Sequence, residues 1–336
     1  MSRLTVTASS ALNVSPCANT FEPLAVAHII IPTIMPFKYT SICFTMQNYF
    51  LFSTFSAIIS IFYNNFAPHK RKLQMRLTID IGNTCTKLVA FDGISPVEEM
   101  RMDAGELYKL DAFVRRYSFT SGIYSTVVRL SSDFRKAIIR LPFPMMQLVS
   151  GVTPIPIRNC YSPPSALGTD RLAAVVGAFF KQLGHDVLVI DVGTCITYDF
   201  ITSSGEYLGG NISPGPTVRL KALNVFTDSL PLVNRKGNTP QLGITTETAI
   251  RSGVMNGVRR EVEGYVGDFL KKYPDLFVYL TGGISLDLDI SEKKRIFADK
   301  FIVPEGLNRI LLYNESLSYN NESLLDDNEV QKLNEK

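Results

Sequence analysis

One design occurs twice in this chain. At Leu77–Gly93, "LTIDIGNTCTKLVAFDG", an apolar strand ends in an aspartate, a short Gly-Asn-Thr turn follows, and a second apolar strand begins at once. At Val187–Gly215, "VLVIDVGTCITYDFITSSGEYLGGNISPG", the order returns: apolar strand, Asp, Gly, Thr, strand. Ile79-Asp80-Ile81-Gly82 falls on Ile190-Asp191-Val192-Gly193 with an offset of 111 positions. Solenoid repeats run to roughly 20–50 residues, so this spacing reads as a duplicated domain. Two similar domains, each with an Asp-x-Gly turn at a strand end, are expected to face each other across a cleft.

The turn residues admit two uses. A carboxylate, a flexible Gly and two small hydrogen-bonding side chains can close a hairpin. Backbone N–H groups and hydroxyls in the same arrangement can line a pocket for phosphate and a metal ion. Recurrence at the same place in both halves favours the second use, with Gly82 and Gly193 removing the Cβ that would keep an anion from the backbone.

At 336 residues the chain is long enough for two domains with cores of ordinary size. Charge is unevenly placed. Of 34 basic and 31 acidic residues, residues 1–74 hold five basic ones (Arg3, Lys38, Lys70, Arg71, Lys72) and one acidic one, Glu22. The remainder is close to neutral and has no basic run, which argues against general nucleic-acid binding. The five cysteines are odd in number and lack metal-ligand spacing, as in a reduced, cytoplasmic protein. His185 is the only histidine beyond residue 69, which argues against a His-based triad or zinc site.

Residues 1–74 read differently from the rest. No charged residue lies between Lys38 and His69, and "YFLFSTFSAIISIFY" is most of a membrane span, which needs roughly 20 apolar residues. Lys70-Arg71-Lys72 after it would keep the remainder cytoplasmic. Against a span, Ser, Thr, Asn and Gln interrupt the run, and Pro32 and Pro36 precede it. The charges are also out of order for a signal peptide. Three readings stand: an extension of the gene model upstream of a true start at Met75, a hydrophobic anchor over 39–68 that brings a membrane contact, or a folded extension.

From Met75, strands come first in hairpins and then alternate with helices. "RLTIDIG", "CTKLVAFDG", "VEEMRMDAG", "GIYSTVV" and "MQLVSG" have strand character. "ELYKLDAFVRRY", "SDFRKAIIRL" and "DRLAAVVGAFFKQLG" carry helical spacing, the last stopped by Gly184. The pattern predicts an α/β fold of mixed sheets with helices on their faces. A first domain is expected over 75–186, a second over 187–313, and a polar tail over 314–336 that frays. A helix expected over 247–271 carries Gly253, Gly257, Gly264 and Gly267. Each costs roughly 1 kcal/mol relative to Ala, which points to close packing on that face.

A third glycine element closes the series. In "VYLTGGISLDL", Val278–Leu288, a strand runs into Gly282-Gly283, a turn or a place where an adenine ring lies on bare backbone. Two Asp-x-Gly turns and a late Gly-Gly turn resemble the actin, Hsp70 and sugar-kinase superfamily. Within it, "DIGNTCTK" (80–87), "YSPPSALGTDR" (161–171), "VIDVGTCITYD" (189–199), "GEYLGGNISPG" (205–215), "TETAIRSG" (246–253) and "YLTGG" (279–283) resemble type III pantothenate kinase in order and spacing. Residues 1–74 have no counterpart in that pattern.

The resemblance implies two duplicated ribonuclease-H-like, actin-like domains with the active site in the interdomain cleft. It implies ATP-dependent phosphorylation of pantothenate to 4'-phosphopantothenate, the first step toward coenzyme A, by a cytoplasmic homodimer. Asp80, Ile81, Gly82, Asn83, Thr84, Cys85, Thr86 and Lys87 would form the first phosphate loop, and Thr194 would meet the nucleotide phosphates from the second domain. Asp170 would be the base for the pantothenate hydroxyl; by itself, it is also an ordinary helix-end carboxylate. Asp191 would hold a monovalent cation, K+ or NH4+, with Mg2+ accompanying ATP. Tyr161, the Gly168-Thr169-Asp170-Arg171 turn and Thr246 would contact pantothenate. Read singly, Tyr161 is a packed tyrosine, Arg171 an exposed helix arginine, and Thr246 a helix cap.

Two rival functions predict different behaviour. Another kinase or phosphatase of the same fold would act on a different acceptor and leave "YSPPSALGTDR" unexplained. A non-enzymatic nucleotide-binding regulator would keep its ligand when Asp170 is lost, with no turnover to lose.

Overall fold

The computed structural model describes residues 74–334 apart from 104, 287 and 290–292. The apolar run at 39–68 lies outside the described residues. No helix among the described residues is long and apolar enough to cross a membrane.

β1 (Met75–Ile81) is buried on both faces, which is why it reads as an apolar run rather than an alternating one. β2 (Thr86–Asp92) pairs with it antiparallel, and β3 (Ser95–Met102) continues the meander. β4 (Phe119–Thr126) and β5 (Met145–Gln147) then add in parallel, giving the order β3-β2-β1-β4-β5. The helices α1 (Leu107–Val114) and α2 (Ser132–Ile139) make the crossovers. They bury Leu110, Phe113, Phe134 and Ile138 against Leu77, Ile79 and Leu88 of the sheet.

β6 (Arg158–Asn159), the next strand in the chain, joins the second sheet at its edge. In that sheet β7 (Val187–Val192) pairs antiparallel with β8 (Cys195–Ile201), and β8 with β9 (Glu206–Pro214). β10 (Phe277–Gly282) lies parallel to β7, and β11 (Ile296–Ala298) parallel to β10. The order is β11-β10-β7-β8-β9-β6. Strand for strand, β7 to β11 repeat the plan of β1 to β5. The duplication visible as an Asp-x-Gly turn thus extends through whole sheets.

α3 (Thr169–Lys181) and α6 (Ile302–Asn334) lie between the sheets. Their apolar residues share one core with Ile123 and Leu148 on the side of the first sheet and with Val187, Val189 and Ile201 of the second. The two helices meet backbone to backbone. A Cβ at Gly177 would stand 2.1 Å from the Ile302 carbonyl oxygen, and one at Gly306 1.8 Å from that of Ala173. Only glycine fits at this crossing. The segment from Asn314, expected to fray, instead continues α6 in helical backbone to Asn334. Tertiary contacts anchor its start: Glu315 pairs with buried Arg76 at 2.9 Å and accepts from Ser121 Oγ at 2.6 Å.

α5 (Thr246–Lys272) covers the second sheet, and α4 (Pro216–Val225) packs on α5, Leu220 against Ile250 and Val254. α5 packs through Val258, Val262 and Val266 on Leu188 and Ile190. The close packing expected at its glycines is not made within the described chain. A Cβ at Gly253, Gly257, Gly264 or Gly267 would meet no atom within 4 Å.

Candidate active site

The two Asp-x-Gly turns leave the ends of the central strands β1 and β7, where β2 and β8 turn back antiparallel. In the first turn the Gly82 N–H donates to the Cys85 carbonyl at 3.2 Å; in the second the Gly193 N–H donates to Cys195 at 2.9 Å. These two amides therefore close the turns on themselves. Neither is free to meet an anion. Of the turn residues, Asn83, Thr84 and Thr194 are exposed, while Ile81 and Thr86 are buried in the strands and Cys85 is half-buried. The turns meet where the Thr84 and Thr194 hydroxyls stand 3.4 Å apart.

Three carboxylates gather behind this contact. Asp80 accepts from Ser125 Oγ at 3.1 Å, a partner supplied by parallel β4. Lys87 sits directly opposite Asp80 in the β1–β2 register, and its Nζ also reaches the Lys300 carbonyl at 3.4 Å. Burial pushes the Asp80 carboxyl up; Lys87 opposes this and the Asp170 charge adds to it. Burial, and next the Asp170 charge, push Asp191 up to about 7, again against Lys87. Burial pushes Asp170 up as well, against the Arg171 backbone N–H. Lys87 offsets Asp80 and Asp191 while the Asp170 charge repels both, which leaves an excess of negative charge in a poorly solvated place. That chemistry suits a cation. Among the described residues, no three His, Cys, Asp or Glu side chains are close enough to hold a metal ion on their own.

Asp170 is placed by the first turn of α3. Gly168 caps that helix, and the Thr169 hydroxyl donates to the Thr126 carbonyl at the end of β4, 3.3 Å away. The Arg171 N–H donates to Asp170 Oδ1 at 2.8 Å and so orients the carboxylate. A Cβ at position 168 would lie 2.6 Å from that same oxygen, so the glycine clears its place.

Arg171 is not the exposed helix arginine that its position suggests. Its side chain is 6% exposed and faces Asp199, which is 1% exposed. Nη2 meets Asp199 Oδ1 at 2.6 Å, Nε meets Oδ1 at 3.0 Å and Oδ2 at 3.2 Å, and the Tyr207 hydroxyl donates to Oδ1 at 2.7 Å. The guanidinium also lies 5.5 Å from the Tyr161 ring centroid, and that ring stacks on Tyr207 at 6.2 Å. Tyr161 is thus both packed and held beside Arg171. Asp199, Tyr207 and Ser125 escaped the sequence reading. A signal for Asp199 existed: an aspartate between the buried Tyr198 and Phe200 of a strand must find a buried partner.

The structure therefore brings Asp80, Thr84, Lys87, Asp170, Asp191 and Thr194 together, with Gly168, Thr169, Arg171 and Tyr161 beside Asp170. Thr246 stands apart. It opens α5 as an exposed residue, while Thr245 is the cap and forms a capping box with Thr248. No hydrogen bond, ion pair or ring contact among the described residues links Thr246 to Asp170, Arg171 or Tyr161.

Comparison with known proteins agrees with this geometry. The family model for type III pantothenate kinase matches residues 76–268. The type III pantothenate kinase of Phocaeicola vulgatus is 51% identical over 243 residues, covering 72% of this chain and 100% of that one. That of Bacteroides fragilis is 48% identical over 240 residues, 71% of this chain and 98% of its own. That of Porphyromonas gingivalis is 39% identical over 248 residues, 72% and 100% respectively. A match of this extent, over the segment that carries both turns and the helix between them, makes this chain a member of the type III pantothenate kinase family.

Proposed function

We propose that this protein transfers the γ-phosphoryl group of ATP to the primary hydroxyl of pantothenate, giving 4'-phosphopantothenate for coenzyme A synthesis. The observation that carries the reading is the convergence of Asp80, Asp170, Asp191 and Lys87 where the two turns meet. Phosphoryl transfer asks a protein chiefly for positioning and charge. Thr84 and Thr194 donate to the phosphates from opposite sides, and Lys87 supplies positive charge. Asp170, oriented by the Arg171 N–H, accepts the proton of the attacking hydroxyl. Pantothenate lies along Tyr161 and the Gly168–Arg171 turn, with Thr246 as a further contact. The cation-suited excess of negative charge supports a monovalent ion on Asp191. When bound, K+ or NH4+ supplies charge that offsets the carboxylates beside the phosphates. Mg2+ arrives with ATP as part of the substrate.

The two domains are taken as 75–186 and 187–313, with β6 of the first range completing the edge of the second sheet. We assign a homodimer, supported by large apolar residues left at the surface, Val225, Phe226, Leu242 and Ile244, and by the unpacked glycine face of α5. We assign the cytoplasm, supported by Cys85 and Cys195, which form no disulfide among the described residues. Coupled ADP release with pantothenate as acceptor, with and without potassium, tests the whole reading. Release with no dependence on pantothenate would refute it.

A further inference from the structure

We propose that Glu261, acting through Arg219, is a positioning residue that sets the second phosphate turn for ATP. The proposal rests on Thr194 being a nucleotide contact.

Glu261 lies on α5, away from the carboxylate cluster, yet it gathers donors from three other elements. Tyr198 of β8 donates its hydroxyl at 2.8 Å, Ser213 of β9 donates at 2.5 Å, and the Arg219 guanidinium of α4 forms an ion pair with it. The side chains of that pair are only 23% and 24% exposed, so water screens it weakly. Burial alone would raise the Glu261 carboxyl; hydrogen bonds from Ser213, Arg219 and Tyr198 hold it below the usual range instead. Arg219 then passes the constraint on, its Nε donating to the Pro214 carbonyl at 2.7 Å. The next residue, Gly215, donates its N–H to the Thr194 carbonyl at 2.9 Å. The contact is backbone on backbone: a Cβ at Gly215 would lie 2.2 Å from the Gly193 oxygen and 2.6 Å from that of Thr194. The route Glu261, Arg219, Pro214, Gly215, Thr194 is continuous, and it ends on the turn whose hydroxyl faces Thr84. None of these polar groups hydrogen-bonds Asp170, Arg171 or Tyr161, and the route through Arg219 ends on the nucleotide side.

Without Glu261, Arg219 loses its counter-charge and the hold on Pro214 relaxes. Thr194 then spends less time in the orientation that meets phosphate. The test measures kcat, KM for ATP, KM for pantothenate and Tm on Glu261→Gln, Glu261→Ala and Thr194→Ala in parallel. Glu261→Ala should raise the ATP KM about tenfold, on the scale of one lost charge-assisted hydrogen bond. The pantothenate KM should stay within about twofold and kcat within about threefold, a split that general loosening of the fold does not produce. Glu261→Gln keeps an oxygen for Tyr198 and Ser213 but loses the ion pair, so a smaller rise in the same constant is expected. If Glu261→Ala does not fold, Glu261→Gln and Arg219→Gln read the same split. An unchanged ATP KM in the Glu261 variants, beside a raised one in Thr194→Ala, overturns this proposal alone. Equal rises in both Michaelis constants overturn it too. A Thr194→Ala enzyme with the wild-type ATP KM overturns instead the reading of Thr194 on which it rests.

Discussion

Replacing Asp199 by asparagine probes the buried contact that holds Arg171. The carboxylate is 1% exposed and the Arg171 side chain that it faces is 6% exposed. It accepts from Nη2 at 2.6 Å, from Nε at 3.0 and 3.2 Å, and from the Tyr207 hydroxyl at 2.7 Å. A guanidinium cannot shed its proton, and Asp199 holds that of Arg171 above even its ordinary value despite burial. Asparagine has nearly the same shape but presents no charge and turns an amide N–H toward one of the donors. Removing one partner of such a pair typically costs about 3–5 kcal/mol, because a desolvated charge is left alone. At about 2–4 °C per kcal/mol for a domain of this size, Tm should fall by roughly 6–20 °C. Thermal unfolding followed by circular dichroism reads this directly. The double variant Arg171→Met with Asp199→Leu removes both charges and should recover most of the loss, because apolar replacements of a buried pair are often neutral. It should not recover activity, since Tyr161 loses the guanidinium that holds it. A fall below about 2 °C for Asp199→Asn would refute the reasoning, because it would mean that the pair is solvated and the site more open than described.

Asp170→Asn should lower turnover by about 10²–10⁴-fold while Tm and ATP affinity stay near wild type; a loss below tenfold would leave Asp170 as a helix-end carboxylate. Gly168→Ala places a methyl 2.6 Å from Asp170 Oδ1, at a φ of −58° that strains no backbone. Turnover should therefore fall about tenfold or more with Tm hardly changed, and unchanged turnover measured on the same sample would show that the carboxylate tolerates displacement. Asp191 has a folded-state pKa near 7 against 3.8 for a free carboxyl. The native state thus binds the proton more tightly than the unfolded chain, and its stability falls as pH rises from about 4 to 7. In buffer without potassium, Asp191→Asn should then raise Tm more at pH 8 than at pH 5, and it should also abolish activation by potassium. A larger gain at pH 5 would contradict the sign.

The fold plan is local enough to be read from order alone. Each Asp-x-Gly turn sits at the end of an apolar strand, so the duplication at Asp80 and Asp191 announced two sheets of one design. The alternation after them announced the crossover helices. Thr84, Lys87 and Thr194 stand out in the sequence for the same reason, because a motif states its own neighbours. Contacts between segments far apart in sequence were not legible. Nothing near Arg171 in the chain distinguishes a solvated helix arginine from one closed against Asp199, 28 positions away. Gly177 looks like a mild helix fault until α6 brings the Ile302 carbonyl against it. The tail from Asn314 lacks the apolar content to fold alone, and only the first sheet, through Arg76 and Ser121, gives Glu315 its partners. Sequence shows the donors of the two turns but not their acceptors, and the turn's own geometry takes the Gly82 and Gly193 amides first. Strand periodicity and turn chemistry act over a few residues, so a sequence displays them directly. Desolvation of a charge and closure of two helices depend on what folding packs around them, and that is settled only when distant segments meet.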